Sequence, residues 1–159
     1  MKKISTTLVI LLIAISGLSV YYFYPETKIK KGQKVDKIII SKTEHKLHLY
    51  YKDTEVAEYT VSLSRNGLGK KTKLGDNLTP EGLFRGKKRT QTKYHKAIGV
   101  GNWGDCCNVL IHGLGKQYGV FRKFHRFRDW TKGCIALTND EIDEIYGAID
   151  NDLIIEIKP

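Results

Sequence analysis

Asp129-Trp130-Thr131-Lys132-Gly133-Cys134-Ile135-Ala136-Leu137-Thr138-Asn139-Asp140-Glu141 is the stretch on which the reading of this chain turns. A cysteine follows a glycine, three apolar residues come next, and Thr138-Asn139-Asp140-Glu141 has the pattern of a capping box. Ile142, Ile145, Tyr146 and Ile149 then recur at the spacing of one apolar helix face. Leu153-Ile154-Ile155-Glu156-Ile157 closes the chain as a strand. A glycine ahead of a cysteine permits a tight turn and close approach of a ligand to backbone amides. The amides of Gly133 and Cys134 are therefore candidate donors to an oxyanion. The positive end of the following helix is expected to favour thiolate at Cys134. A small buried core cysteine is the competing reading.

A cysteine nucleophile needs a base, and the base needs an orienting group. Asn108-Val109-Leu110-Ile111 reads as a short apolar strand that delivers His112 into a turn at Gly113, where a side chain can face a cleft. The other four histidines have poorer settings. His45 and His48 are read on one strand with opposite faces, His95 lies in a polar loop and His125 in a basic run. None has metal-ligand spacing with the cysteines, so neither a metal nor another cofactor is expected.

Upstream, Asp36-Lys37-Ile38-Ile39-Ile40, Lys46-Leu47-His48-Leu49-Tyr50 and Glu58-Tyr59-Thr60-Val61-Ser62-Leu63 read as strands of a β-meander, with a turn at Lys52-Asp53. Residues 65–82 hold four glycines with Asn66, Asp76, Asn77 and Pro80, a long loop of the kind that is often functional. The expected fold is mainly β with a few helices.

Ile111-His112-Gly113, followed after seventeen residues by Thr131-Lys132-Gly133-Cys134-Ile135, resembles the signature of the L,D-transpeptidase (YkuD-type) catalytic domain, His-Gly followed by Ser/Thr-x-Gly-Cys. Lys37 through Tyr50 resembles the first strands of that domain, and Thr79-Pro80-Glu81-Gly82 its Thr-Pro-x-Gly loop. The resemblance runs from residue 36 to 159. It implies a YkuD-like β-sandwich with its nucleophile just before the C-terminal amphipathic helix. It also implies that Cys134 attacks an L,D bond of a peptidoglycan stem peptide and forms a thioester, which an amine or water then resolves. His112 would activate the thiol, held by the carbonyl of Gly113 in place of an acidic residue, although Asp129 is a second candidate for orienting it. Many members carry arginine two residues after the cysteine, where this chain has Ala136; Arg126, Arg128 or Lys132 are candidates to replace it. The run Asp-Trp-Thr-x-Gly-Cys-Ile-Ala resembles one branch of the family, in which some members cut links rather than make them. Thr131 and Trp130 are further candidates for the substrate pocket, with Trp130 as its wall.

The chain's start bears on location. Lys2 and Lys3 precede an uncharged stretch over residues 4–24, close to the roughly 20 residues a bilayer span requires. Lysines before the span predict an exported C-terminal part, and Tyr21, Tyr22, Phe23 and Tyr24 fit an interfacial aromatic belt. Residues 1–24 are thus read as a membrane anchor, with a signal peptide cleaved near Ala14-Ile15-Ser16 as the rival. Residues 25–35 are read as a linker and 36–159 as the catalytic domain.

The net charge of +10 falls to +8 without Lys2 and Lys3, a surplus that favours a polyanionic partner. Export to the cell envelope makes that a wall polymer rather than nucleic acid, acted on by a monomer. Phe121-Arg122-Lys123-Phe124-His125-Arg126-Phe127-Arg128 reads either as a solvated amphipathic edge or as a grip on substrate carboxylates. Three cysteines leave at least one outside any intramolecular pair, and a disulfide from Cys106 or Cys107 to Cys134 would disarm the site. Two alternatives stand beside the enzyme. One is a non-catalytic basic wall-binding module. The other is a sortase-like transpeptidase, disfavoured because no arginine follows Cys134.

Overall fold

Alternating burial in the first two strands sets the core. The structure is a computed structural model describing residues 5–24, 28–89, 93–101 and 109–159. In it β1 (Val35–Ser41), β2 (Lys46–Tyr51) and β3 (Thr54–Thr60) form the expected antiparallel meander. Ile38, Ile40, Leu47 and Leu49 point inward and are fully buried, the period of two that a half-covered sheet imposes. Lys52 and Asp53 both take left-handed backbone, φ 47° and 62°, as a tight hairpin turn matched to strand twist requires.

β4 (Gly82–Arg89), β5 (Ala97–Val100), β6 (Leu110–His112), β7 (Ile135–Ala136) and β8 (Ile149–Lys158) complete one eight-stranded sheet in the order β3-β2-β1-β8-β4-β5-β6-β7. β8 lies parallel to β1 and antiparallel to β4, so the chain's last strand is central. The sheet curls until its ends meet. Past β3 the chain bridges from Ser62 to Ala136 and from Ser64 to Thr131, joining the β3 end of the sheet to the β7 end. The strand expected over residues 58–63 therefore ends at Thr60 as a partner of β2, and its continuation crosses to β7.

The helices are α1 (Thr6–Phe23), α2 (Gly115–Tyr118), a 3-10 segment (Gly119–Phe127) and α3 (Asn139–Ala148). α3 starts as its capping box dictates. The Thr138 hydroxyl accepts the Glu141 N–H at 3.3 Å, and the Glu141 carboxylate accepts the Thr138 N–H at 2.9 Å. Ile142 and Ile145 then bury completely against the sheet, each worth about 1.5–3 kcal/mol in removed apolar area. α1 has a mean hydropathy of 2.0, and none of its residues is buried in the protein.

Candidate active site

The turn that carries Cys134 is clamped on both flanks by backbone. Ala136 exchanges two hydrogen bonds with Ser62, at 2.9 and 3.1 Å. Thr131 donates its N–H to the Leu63 carbonyl at 3.0 Å and accepts the Arg65 N–H at 3.1 Å. Within the turn the Thr131 hydroxyl donates to the Cys134 carbonyl at 2.7 Å and accepts the Gly133 N–H at 3.2 Å. Gly133 has φ +103°, and a Cβ there would stand 2.7 Å from the Leu78 carbonyl oxygen. Left-handed backbone and a facing loop together admit only glycine. The Asp76 carboxylate braces that loop, accepting the N–H groups of Thr72, Lys73 and Leu78 and pairing with buried Lys71 at 2.5 Å.

β6 sets the histidine against this turn. Ile111 pairs with Ile135 and His112 with Ala136 in parallel register, and Leu137 donates its N–H to the His112 carbonyl. The His112 Nδ1–H donates to the Gly113 carbonyl at 2.7 Å, which fixes the tautomer and leaves Nε2 as the basic atom. A side chain at residue 113 would collide with α3, since a Cβ would lie 2.8 Å from Asn139 Oδ1 and from Ile142 Cγ2. Asp129, the second candidate orienting group, is engaged elsewhere: it accepts the Leu63 N–H at 2.7 Å and pairs with His45 at 2.9 Å.

His112 and Cys134 line one cleft of about 410 Å³, together with Thr131, Trp130 and Lys132. The ring of His112 is stacked on Tyr94, centroids 3.7 Å apart, with Trp130 edge-on at 6.2 Å. Burial lowers the His112 pKa to about 4, helped by the Lys93 charge and opposed by the Gly113 hydrogen bond. Burial also raises the Cys134 pKa above its ordinary value, opposed by a hydrogen bond from the Leu110 backbone and by Lys93. The expectation that the helix end would favour thiolate is corrected on this point, because desolvation outweighs it. Burial thus disfavours the charged form of both the imidazole and the thiol.

Two expected grips lie elsewhere. Arg126 pairs with the buried Glu141 of the α3 cap, and neither Arg126 nor Arg128 lines the cleft. Arg65 and Lys93 do, beside Lys132, and no acid is among the described lining residues. Arg65 stands at the head of the glycine-rich loop and Lys93-Tyr94 in the connection before β5. Nothing in local sequence marked those three. Cys106 and Cys107, and with them the suggested disulfide to Cys134, lie outside the described residues.

With this geometry established, the chain matches the YkuD family, described as the L,D-transpeptidase catalytic domain, over residues 36–157. It belongs to that family. The Escherichia coli (strain K12) protein YafK, which bears an L,D-transpeptidase name, is 30% identical over 97% of this chain. The chain spans only 66% of that relative's length. Among solved structures, Pgp2 of Campylobacter jejuni, titled a helical cell shape determining protein, matches with a TM-score of 0.60 at 21% identity, over 80% of this chain and 48% of that one. An L,D-transpeptidase from Mycobacterium smegmatis matches with 0.57 at 16%, over 80% and 60%. At such identities these structures show a shared fold, the YkuD-like fold expected from the sequence. The L,D-transpeptidase domain thus accounts for the curled sheet.

Proposed function

We propose that this chain is a peptidoglycan-modifying cysteine acyltransferase, with Cys134 as nucleophile and His112 as base, tethered through α1 to the outer face of the cytoplasmic membrane. The observation that carries this reading is the His112 imidazole, turned by the Gly113 carbonyl so that Nδ1 is occupied and Nε2 is the basic atom, in the cleft that Cys134 also lines. As Sγ attacks the carbonyl carbon of an L,D peptide bond, its proton passes to Nε2. Collapse of the tetrahedral adduct breaks the C–N bond, Nε2 returns the proton to the departing amine, and a thioester remains. An incoming amine then gives a new peptide link, and water gives hydrolysis.

The Gly133 N–H is directed to the Thr131 hydroxyl. Of the two expected oxyanion donors, the Cys134 amide therefore carries the larger share. Arg65, Lys93 and Lys132 give the cleft a positive lining suited to the free carboxylates of a stem peptide, and supply the cation that Ala136 does not. Tyr94 and Trp130 exclude water from the imidazole. A nucleophile and base lining one cleft favour an enzyme over a basic wall-binding module, and the family placement favours this chemistry over a sortase-like one.

The test is incubation of the full chain with muropeptides and sacculi, read by mass spectrometry beside a Cys134→Ala control. New cross-linked or amino-acid-exchanged species, absent from the control, establish transfer. Loss of links with incorporation of water establishes hydrolysis on the same acyl-enzyme. Products that persist in the Cys134→Ala protein, or no products at all under reducing conditions, defeat the proposal.

A further inference from the structure

The 3-10 segment Gly119–Phe127 is built inside out. Lys123 and His125 are 5% and 8% exposed, while Val120, Phe121 and Phe127 are 66%, 52% and 77% exposed. Outside residues 6–24, seven large hydrophobic side chains are exposed among the described residues, and four of them, Tyr118, Val120, Phe121 and Phe127, fall within residues 118–127. A surface segment that hides a lysine and an imidazole and presents its apolar groups is shaped for a partner less polar than water. The segment also breaks at Arg122, whose φ of 42° lies in the left-handed region. The Arg122 guanidinium is fixed there between Asp140 at 2.7 Å and the ring of Tyr22 at 5.8 Å.

What covers this face is indicated by α1. Its 18 uncharged residues reach about 27 Å at 1.5 Å per residue, close to the thickness of a bilayer's hydrocarbon core. Its C-terminal turn, where such a helix leaves the hydrocarbon, is joined to the 3-10 segment. The Tyr22 hydroxyl donates to the Val120 carbonyl at 2.5 Å, Tyr21 and Tyr22 pack on Phe124 at 6.0 and 5.5 Å, and Lys123 lies over the Tyr21 ring at 5.2 Å. That contact holds Val120, Phe121 and Phe127 at the level of the lipid headgroups. Residues 114–128 contain no acid, and Lys116 and Arg128 stay exposed beside the apolar groups. Apolar anchors flanked by cations are the composition of a segment that lies in an anionic membrane surface.

We infer that the face formed by Val120, Phe121 and Phe127 is a membrane-docking surface that seats the catalytic domain on anionic lipid. It is continuous with the cleft. Phe121 stacks on Tyr118 at 6.4 Å, and Tyr118 packs on Trp130 at 5.7 Å, both of the latter lining the site. The active site is thereby held beside the bilayer surface and not free to range on a slack linker. The inference rests on the reading of α1 as a bilayer span.

The experiment reconstitutes the full chain into nanodiscs containing phosphatidylglycerol, with lipids brominated at shallow acyl positions as quenchers. Tryptophan is introduced singly as Phe127→Trp, as Leu83→Trp, an equally exposed apolar position on β4, and as Leu12→Trp within α1, the signal of native Trp103 and Trp130 being subtracted. A roughly twofold quenching at Phe127→Trp and Leu12→Trp, with little at Leu83→Trp, is the expected result for interfacial seating. Quenching at Leu12→Trp alone, or equal quenching at Phe127→Trp and Leu83→Trp, overturns the docking surface while leaving the span intact. No quenching at Leu12→Trp overturns the span and the docking surface with it.

Discussion

The cleft has two unlike walls. One, made by β6, β7 and the turn at residues 131–134, is set by backbone: parallel pairing, four hydrogen bonds from residues 62–65, and two glycines that nothing larger could replace. The other, made by α2 and the start of the 3-10 segment, is set by side chains, chiefly the stack of Phe121, Tyr118 and Trp130. On the proposed function, the chemistry that requires atoms held to a few tenths of an ångström would sit on the first wall. Contact with the surroundings sits on the second, where a replaced side chain alters the surface without moving the nucleophile.

That contrast breaks first at Gly133. Gly133→Ala forces a Cβ toward the Leu78 carbonyl from left-handed backbone. The expected cost is about 2 kcal/mol or more in stability. Turnover is expected to fall ~100-fold as the nucleophile shifts. Thermal melts and product formation measured on the same samples check both, and near-normal turnover would show that the turn does not position Cys134.

Acid should act on the same wall. The His112 pKa is lowered from 6.5 to about 4, so the folded state resists a proton that the unfolded chain takes up readily. The stability this neutral histidine leaves intact near neutral pH is lost as pH falls from 6.5 toward 4, by about 3 kcal/mol in all. His125, buried beside Ser62 and lowered to about 3, adds to the loss over the same range. Denaturant midpoints should therefore drop steeply below pH 6.5, less so in His125→Asn. The acid limb of kcat/KM should lie near 4, and a limb at 6.5 would mean that His112 is better solvated than the structure shows.

The smallest effect belongs to the second wall. Phe127→Ser removes a side chain that is 77% exposed and should change stability by no more than about 0.5 kcal/mol. A larger drop in the melting temperature would make Phe127 part of the core and erase the distinction between the walls.

The first wall was the legible one, because its constraints are local in sequence. His112-Gly113, Gly133-Cys134 and the Thr138 cap each carry their conformation in adjacent residues. The alternating strands β1, β2 and β8 were legible for the same reason. β4 was not: Gly82-Leu83-Phe84-Arg85-Gly86-Lys87-Lys88-Arg89 has four basic residues, two glycines and no apolar alternation to mark it as a strand. It is nevertheless a central strand, because Gly86 lets it close on Leu153 and Ile155, where a Cβ would come within 2.8 Å of both. Arg65, Lys93 and Tyr94 reach the cleft only through tertiary folding, so no spacing announces them. Arg126 misled for the converse reason: its charge suggested a substrate grip, but the fold commits it to Glu141. The direction of the Cys134 shift depended on burial, which a motif does not encode.

The bridges from residues 62 and 64 have one more consequence. An edge strand such as the two-residue β7 would ordinarily offer open N–H and C=O groups on which a peptide could add itself as a further strand. Here Ser62 already occupies those of Ala136. On the proposed function, a stem peptide would therefore not be recognised by β-augmentation at this edge. It would instead be read by side chains of the cleft such as Arg65, Lys93 and Lys132, through its carboxylates, which suits a polymer whose D-residues would not keep the register of an L-strand.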